Sequence, residues 1–188
     1  RQVLYADANG GGIGKSTDPG NTWQQAGSPG PFPVYSLTVD ASAAHTIYAG
    51  TNGAGVWTSS DEGVTWQSTG RSNGMILSLA LDRAGVLYAG TNAAGAQVSR
   101  DRGASWTTLD AGLDSIGRLT YGLWIDPRNA KKIMVGNEAV WGLGWSQDGG
   151  ATWSDAGAGF TGGGPRGVAG APLEARRSDG GAGERRVV

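Results

Sequence analysis

Apolar side chains recur along this chain in short alternating runs rather than in helical stripes. Three runs, Tyr35-Ser36-Leu37-Thr38-Val39, Leu77-Ser78-Leu79-Ala80-Leu81 and Tyr121-Gly122-Leu123-Trp124-Ile125, place apolar residues at i, i+2 and i+4. Each is followed by an aspartate, Asp40, Asp82 or Asp126. That period predicts strands with one buried face. The triplets Tyr48-Ala49-Gly50, Tyr88-Ala89-Gly90 and Met134-Val135-Gly136 come next in each case, and Tyr5-Ala6-Asp7 has the same form near the start. No stretch sustains a helical period.

Nine or ten residues after each triplet begins the pattern Ser-x-Asp-x-Gly-x-(Thr/Ser)-Trp. It occurs four times, at Ser16-Asp18-Gly20-Trp23, Ser59-Asp61-Gly63-Trp66, Ser99-Asp101-Gly103-Trp106 and Ser146-Asp148-Gly150-Trp153, with starts 43, 40 and 47 residues apart. One unit thus predicts four strands. Strand A is the alternating run, B the triplet, C the stretch before the serine, and D begins at the tryptophan. A period of about 40–45 residues with four strands is the pattern of a propeller blade. The expected fold class is all-β, a β-propeller of four-stranded antiparallel blades with about three and three-quarter blades present. Residues 1–156 carry the blades, a partial one at 2–26 and full ones at 34–69, 75–110 and 119–156.

A further strand A is due near residue 162, but residues 157–188 show no alternating run and are rich in Gly, Ala and Arg. That composition predicts a disordered tail, whose Arg176, Arg177, Arg185 and Arg186 are solvated. The chain opens at Arg1 rather than Met, which reads as a processed product or a fragment. An incomplete ring leaves open sheet edges. The expectation is therefore part of a larger propeller, or an arc completed by self-association.

The box has a physical logic. Its aspartate can accept hydrogen bonds from the backbone of its own turn, its glycine supplies a positive φ, and its tryptophan opens strand D with a large apolar face. Four copies argue for a structural role. These segments resemble the Asp-box, or BNR, repeats of sialidases, xyloglucanase-type glycoside hydrolases, sortilin-type receptor domains and photosystem II assembly factors of the Ycf48 kind. The resemblance covers residues 2 to 156. It implies a propeller, an extracellular or periplasmic setting, and a function anywhere from hydrolysis to protein assembly.

Composition narrows the chemistry. Glycine supplies 35 of 188 residues without a period of three, so the chain is not collagen-like. With no cysteine, disulfide staples and Cys-ligated metals are excluded, and the one histidine, His45, cannot build a multi-His metal site or a His-centred triad. No metal or cofactor is implied. A net charge of −1 offers no footprint for nucleic acid, and no apolar run reaches the ~20 residues of a membrane-spanning helix. Asn9 to Ser16 nearly spell a phosphate loop, but Lys15-Ser16 align with Thr58-Ser59 of the box and no helix follows. The match of Gly162, Gly164 and Gly167 to a dinucleotide motif is broken by Pro165.

In a propeller the B–C and D–A loops share one face, where ligands bind. The B–C loops bring Asp7, Asn9, Asn52, Asn92, Asn137, Glu138 and Trp141 to it, and the D–A loops bring Arg71, Asn73, Asp110, Asp114 and Arg118. Glycoside hydrolysis needs two carboxyl groups about 5–10 Å apart. The acids offered are Asp7 and Glu138, and neither is assigned a catalytic role. In xyloglucanase-type enzymes the resemblance places a catalytic aspartate in a B–C loop. Here Thr51-Asn52-Gly53, Thr91-Asn92-Ala93 and Ala8-Asn9-Gly10-Gly11 carry asparagine, which cannot take up the proton. The expected function is a non-catalytic scaffold presenting loops to a glycan or a protein. The alternatives are an arc of a glycoside hydrolase whose carboxylates lie outside this chain, and a Ycf48-like assembly factor.

Overall fold

The computed structural model describes residues 3–7, 12–43, 45–70, 74–109, 118–137, 142–159 and 165–170. Among them are fifteen strands and no helix. Sheet 1 has three strands, β1 (Leu4–Asp7), β2 (Ile13–Ser16) and β3 (Gln24–Gln25). Sheet 2 has four, β4 (Val34–Val39), β5 (Ile47–Thr51), β6 (Val56–Ser59) and β7 (Gln67–Ser68). Sheet 3 comprises β8 (Ile76–Leu81), β9 (Leu87–Thr91), β10 (Ala96–Ser99) and β11 (Thr107–Thr108). Sheet 4 comprises β12 (Thr120–Ile125), β13 (Ile133–Asn137), β14 (Leu143–Ser146) and β15 (Ser154–Asp155). All pairings within sheets are antiparallel and sequential, and β4, β8 and β12 pack side by side as the innermost strands. The expected all-β arc of a propeller is the fold.

The core lies between sheets, not within one. Ile13 and Ala26 of the first unit meet Val34 and Ala49 of the second; Tyr48 and Val56 meet Ile76 and Leu79; Tyr88 and Val98 meet Ile125 and Ile133. Between sheets 2 and 3 and between sheets 3 and 4, two glycines per junction set the spacing. A Cβ on Gly50 would stand 2.6 Å from the Ile76 side chain, and one on Gly90 2.4 Å from the Thr120 carbonyl. Nearer the rim, Gly103 presses on Thr69 and Gly150 on Leu109, at φ values of 96° and 87° that favour glycine.

The repeated turn between the third and fourth strands is one hydrogen-bonded knot used four times. Its serine Oγ accepts from the glycine N–H at 2.7–2.9 Å and donates to the aspartate at 2.7–2.9 Å. The aspartate also accepts from the backbone N–H of the following Thr or Ser at 2.8–2.9 Å and from its hydroxyl at 2.5–2.6 Å. Trp23, Trp66 and Trp106 donate their indole N–H to their own glycine carbonyl, whereas Trp153 reaches across to Leu109 of the preceding sheet. The aspartates before the second strands close smaller turns. Asp40 accepts from the N–H groups of Ser42 and Ala43, Asp82 from Ala84 and Val86, and Asp126 from Arg128.

Within the segment that composition assigns to a disordered tail, Pro165–Gly170 lies against sheet 4. Val168 sits over Gly122, Pro165 over Gly136, and Gly170 against Trp124. The absence of side chains at Gly122 and Gly136 leaves the room this segment occupies. Residues 160–164 and 171–188 are outside the described residues.

Two predictions follow from the knots. The hydroxyl and N–H of Thr22, Thr65, Ser105 and Thr152, together with the box serines, hold Asp18, Asp61, Asp101 and Asp148 at a pKa of about 2 instead of 3.8. A carboxylate with a depressed native pKa contributes stability that is complete above the unfolded value and is lost as pH falls through the native one. The thermal midpoint should therefore drop steeply between about pH 4 and pH 2, and Asp61→Asn should flatten that slope in an acid titration followed by circular dichroism. The residue after the box aspartate is left-handed at Glu62, Arg102 and Gly149, with φ of 62°, 59° and 81°. A residue with a Cβ is strained there and glycine is not. Arg102→Gly should raise unfolding stability by about 0.5 kcal/mol in urea titrations.

Candidate functional site

Each innermost strand carries the same irregularity. The ladder between β4 and β5 pairs Val34 with Thr51 and then Ser36 with Gly50, leaving Tyr35 as the extra residue. Leu77 is skipped in the same way between β8 and β9, and Tyr121 between β12 and β13. A bulge re-aims its extra side chain. Three bulges at one level turn Tyr35, Leu77 and Tyr121 to a common place, where with Met75 they line a cleft of about 330 Å³. Tyr35 remains 41% exposed, and the guanidinium carbon of Arg166 lies 5.4 Å from the centre of the Tyr121 ring. The cleft is apolar and aromatic at its walls, with phenolic hydroxyls and a cation at its margin.

The loops between second and third strands stand beside this cleft. The Asn52 amide donates to the Tyr35 hydroxyl at 3.2 Å while its backbone N–H donates to the Pro33 carbonyl at 2.9 Å. Asn92 donates its backbone N–H to Met75 at 3.2 Å, and Gly95 donates to the carbonyl of Arg118 at 3.0 Å. Asn52, Asn92 and the exposed Arg118 thus belong to one face, tied to the strand starts that build the cleft. Asp7 ends β1 opposite Ile13 and is exposed, occupying the place that Gly50, Gly90 and Gly136 take in the other sheets. Asn137 is a strand end and not a loop residue. It is fully buried, accepts from the Thr120 hydroxyl at 2.8 Å, and aligns with Thr51 and Thr91. Asn9, Arg71, Asn73, Asp110, Asp114, Glu138 and Trp141 lie outside the described residues.

Tyr35, Leu77, Tyr121 and Met75 did not emerge from the alternating pattern, which assigns Tyr35, Leu37 and Val39 to one buried face. In the structure Val34 is buried, while Tyr35 and Val39 are exposed. Two tyrosines at the same place in three aligned runs are the signal that sequence offered.

The opposite face has its own cleft of about 500 Å³, lined by Val3, Tyr5, Thr17, Val39, His45, Ile47 and Glu62. Glu62 there accepts from both Lys15 of the first sheet and His45 of the second. Lys15 holds the Glu62 carboxyl below its usual range, with His45 adding to the effect. The lysine of the phosphate-loop lookalike is therefore engaged in a junction between sheets. Among the described residues no group of three or more His, Cys, Asp or Glu side chains is placed to hold a metal ion.

No family model matches this chain, and no curated protein matches it. Solved structures do. The GH74 enzyme of Niastella koreensis is 22% identical with a TM-score of 0.68, over 81% of this chain and 27% of its own. The GH74 xyloglucanase from Xanthomonas campestris is 22% identical with a TM-score of 0.65, over 86% of this chain and 29% of its own. Ycf48 bound to a D1 peptide is 17% identical with a TM-score of 0.55, over 81% of this chain and 49% of its own. This chain thus spans little more than a quarter of the GH74 structures and about half of Ycf48. What it shares with all three is the fold, and the chain is an arc of a β-propeller.

Proposed function

We propose that this chain is a non-catalytic Asp-box propeller scaffold, or part of one, that binds a β-glucan-type oligosaccharide in the cleft of Tyr35, Leu77 and Tyr121. The observation that carries the reading is the triple bulge, which turns two tyrosines to one solvent-facing place on the loop face. Flat aromatic faces pack on the apolar C–H faces of sugar rings, while the Tyr35 hydroxyl, the Asn52 amide and Arg166 suit sugar hydroxyls. Asparagine at Asn52 and Asn92 supports binding without hydrolysis, because an amide takes no proton from water. The similarity to a xyloglucanase supports a glycan as ligand.

A second reading, an arc of a glycoside hydrolase, draws on the same similarity and on the fraction of the GH74 chains that this one spans. Titration calorimetry with xyloglucan and cellulose-derived oligosaccharides separates the two. Saturable binding without release of reducing ends is expected, and Tyr121→Ala should weaken it about tenfold, or ~1.4 kcal/mol. Reducing-end release lost in Asp7→Ala would overturn the non-catalytic reading. Silence toward these glycans, with binding of a D1-type peptide instead, would transfer the site to protein recognition.

A further inference from the structure

The cleft of Tyr35, Leu77 and Tyr121 has a cation at its margin, and the fold places it by the same contact that places the cleft walls. Ile76 closes on Gly50, and the next residue, Leu77, lines the cleft. Thr120 closes on Gly90, and the next residue, Tyr121, lines it too. Pro165 closes on Gly136, where a Cβ would stand 2.4 Å from the Pro165 carbonyl oxygen, and the next residue is Arg166. Two residues further on, Val168 lies over Gly122, where a Cβ would meet its side chain at 2.8 Å. The chain on either side of Arg166 is thus pressed against bare glycine backbone of β13 and β12. From there the guanidinium carbon comes to 5.4 Å from the centre of the Tyr121 ring.

A neutral sugar leaves the charge of this group unused. The cleft walls are Tyr35, Met75, Leu77 and Tyr121, none of them acidic. Arg166 is exposed beside them, so a ligand seated in the cleft meets its charge. Arginine stays ionised at any working pH and presents its N–H groups as a planar fork that matches a carboxylate bidentately. Such charge-assisted pairs are roughly twice as strong as a hydrogen bond between neutral groups. The Tyr121 ring holds the guanidinium by cation–π attraction, which reduces the freedom lost when an anion binds. Arg118, whose carbonyl accepts from Gly95 on the same face, carries the same sign of charge. Asp7, the acid placed on that face, ends β1 in sheet 1, whereas Tyr121 belongs to sheet 4.

Resting on the glycan reading above, we infer that the oligosaccharide bound in this cleft is an acidic one. A uronic-acid carboxylate pairs with the Arg166 guanidinium while neighbouring rings of the sugar chain pack on Tyr35 and Leu77. Tyr35 accepts any ring of suitable shape, and Arg166 selects for the charge.

Titration calorimetry with two β-1,4-linked trisaccharides of one backbone, cellotriose and the glucuronic acid trimer, reads the two parts separately. The acidic trimer should bind about tenfold more tightly at low salt, and the preference should shrink as sodium chloride is raised. Arg166→Gln should bring the acidic trimer down to the affinity of cellotriose and change cellotriose binding by less than about twofold. Tyr35→Ala should weaken both to the same degree, so that their ratio stays. Equal affinity of the unaltered chain for the two sugars, or a preference that survives Arg166→Gln, would overturn the inference while the glycan reading stands. Silence toward both sugars would overturn the glycan reading and the inference with it, and binding of tetra-aspartate in that case would assign Arg166 to an acidic peptide.

Discussion

Everything in this molecule depends on how closely one sheet can approach the next. Strands of two to six residues joined by tight turns bury little by themselves, so the apolar free energy lies at the faces between sheets. Two glycines govern each of the two later junctions, one in the second strand near the axis and one in the repeated turn near the rim. Removing both side chains at these points lets Ile76 or Thr120 on the inside, and Thr69 or Leu109 on the outside, come within van der Waals reach of bare backbone. Isoleucine and tyrosine side chains such as Ile76 and Tyr48 are then fully enclosed without a second layer of structure. Repetition of this contact accounts for part of the high glycine content.

The hydrogen-bonded knots serve the same end. A turn that reverses the chain while offering a bare glycine to its neighbour needs internal partners for its own backbone. Serine, aspartate and threonine provide them within eight residues, and the tryptophan then covers the seam. Trp153, which reaches the Leu109 carbonyl instead of its own turn, ties two sheets together where the other tryptophans close one.

The repeat, the order of strands and the placement of the turns were legible because each rests on local chemistry that recurs. Alternation found the innermost strands, and the Ser-Asp-Gly-Trp spacing found the reversals. The cleft was not legible, for a physical reason. A bulge inserts one residue without altering the alternation on either side, so Tyr35 and Leu37 look equivalent in sequence and differ in the fold. The segment at Pro165 escaped for another reason: Pro-Arg-Gly-Val-Ala-Gly has neither alternation nor bulk, and its place is set by the two glycines it lies against. Of the polar loop residues singled out beforehand, Asn52 touches a cleft residue by its side chain, and Asn92 is tied there by its backbone.

The bulged position has one more implication. Tyr35, Leu77 and Tyr121 belong to no ladder pair, and none of them is among the residues of the three apolar clusters between sheets. Replacing them changes what the axial cleft presents while leaving the ladders, glycine contacts and knots intact. The lining of the cleft and the architecture are thus encoded at separate positions of the same strand. A scaffold of this kind can change the surface of its cleft by drift at one residue per unit, without first having to find a compensating change in its core.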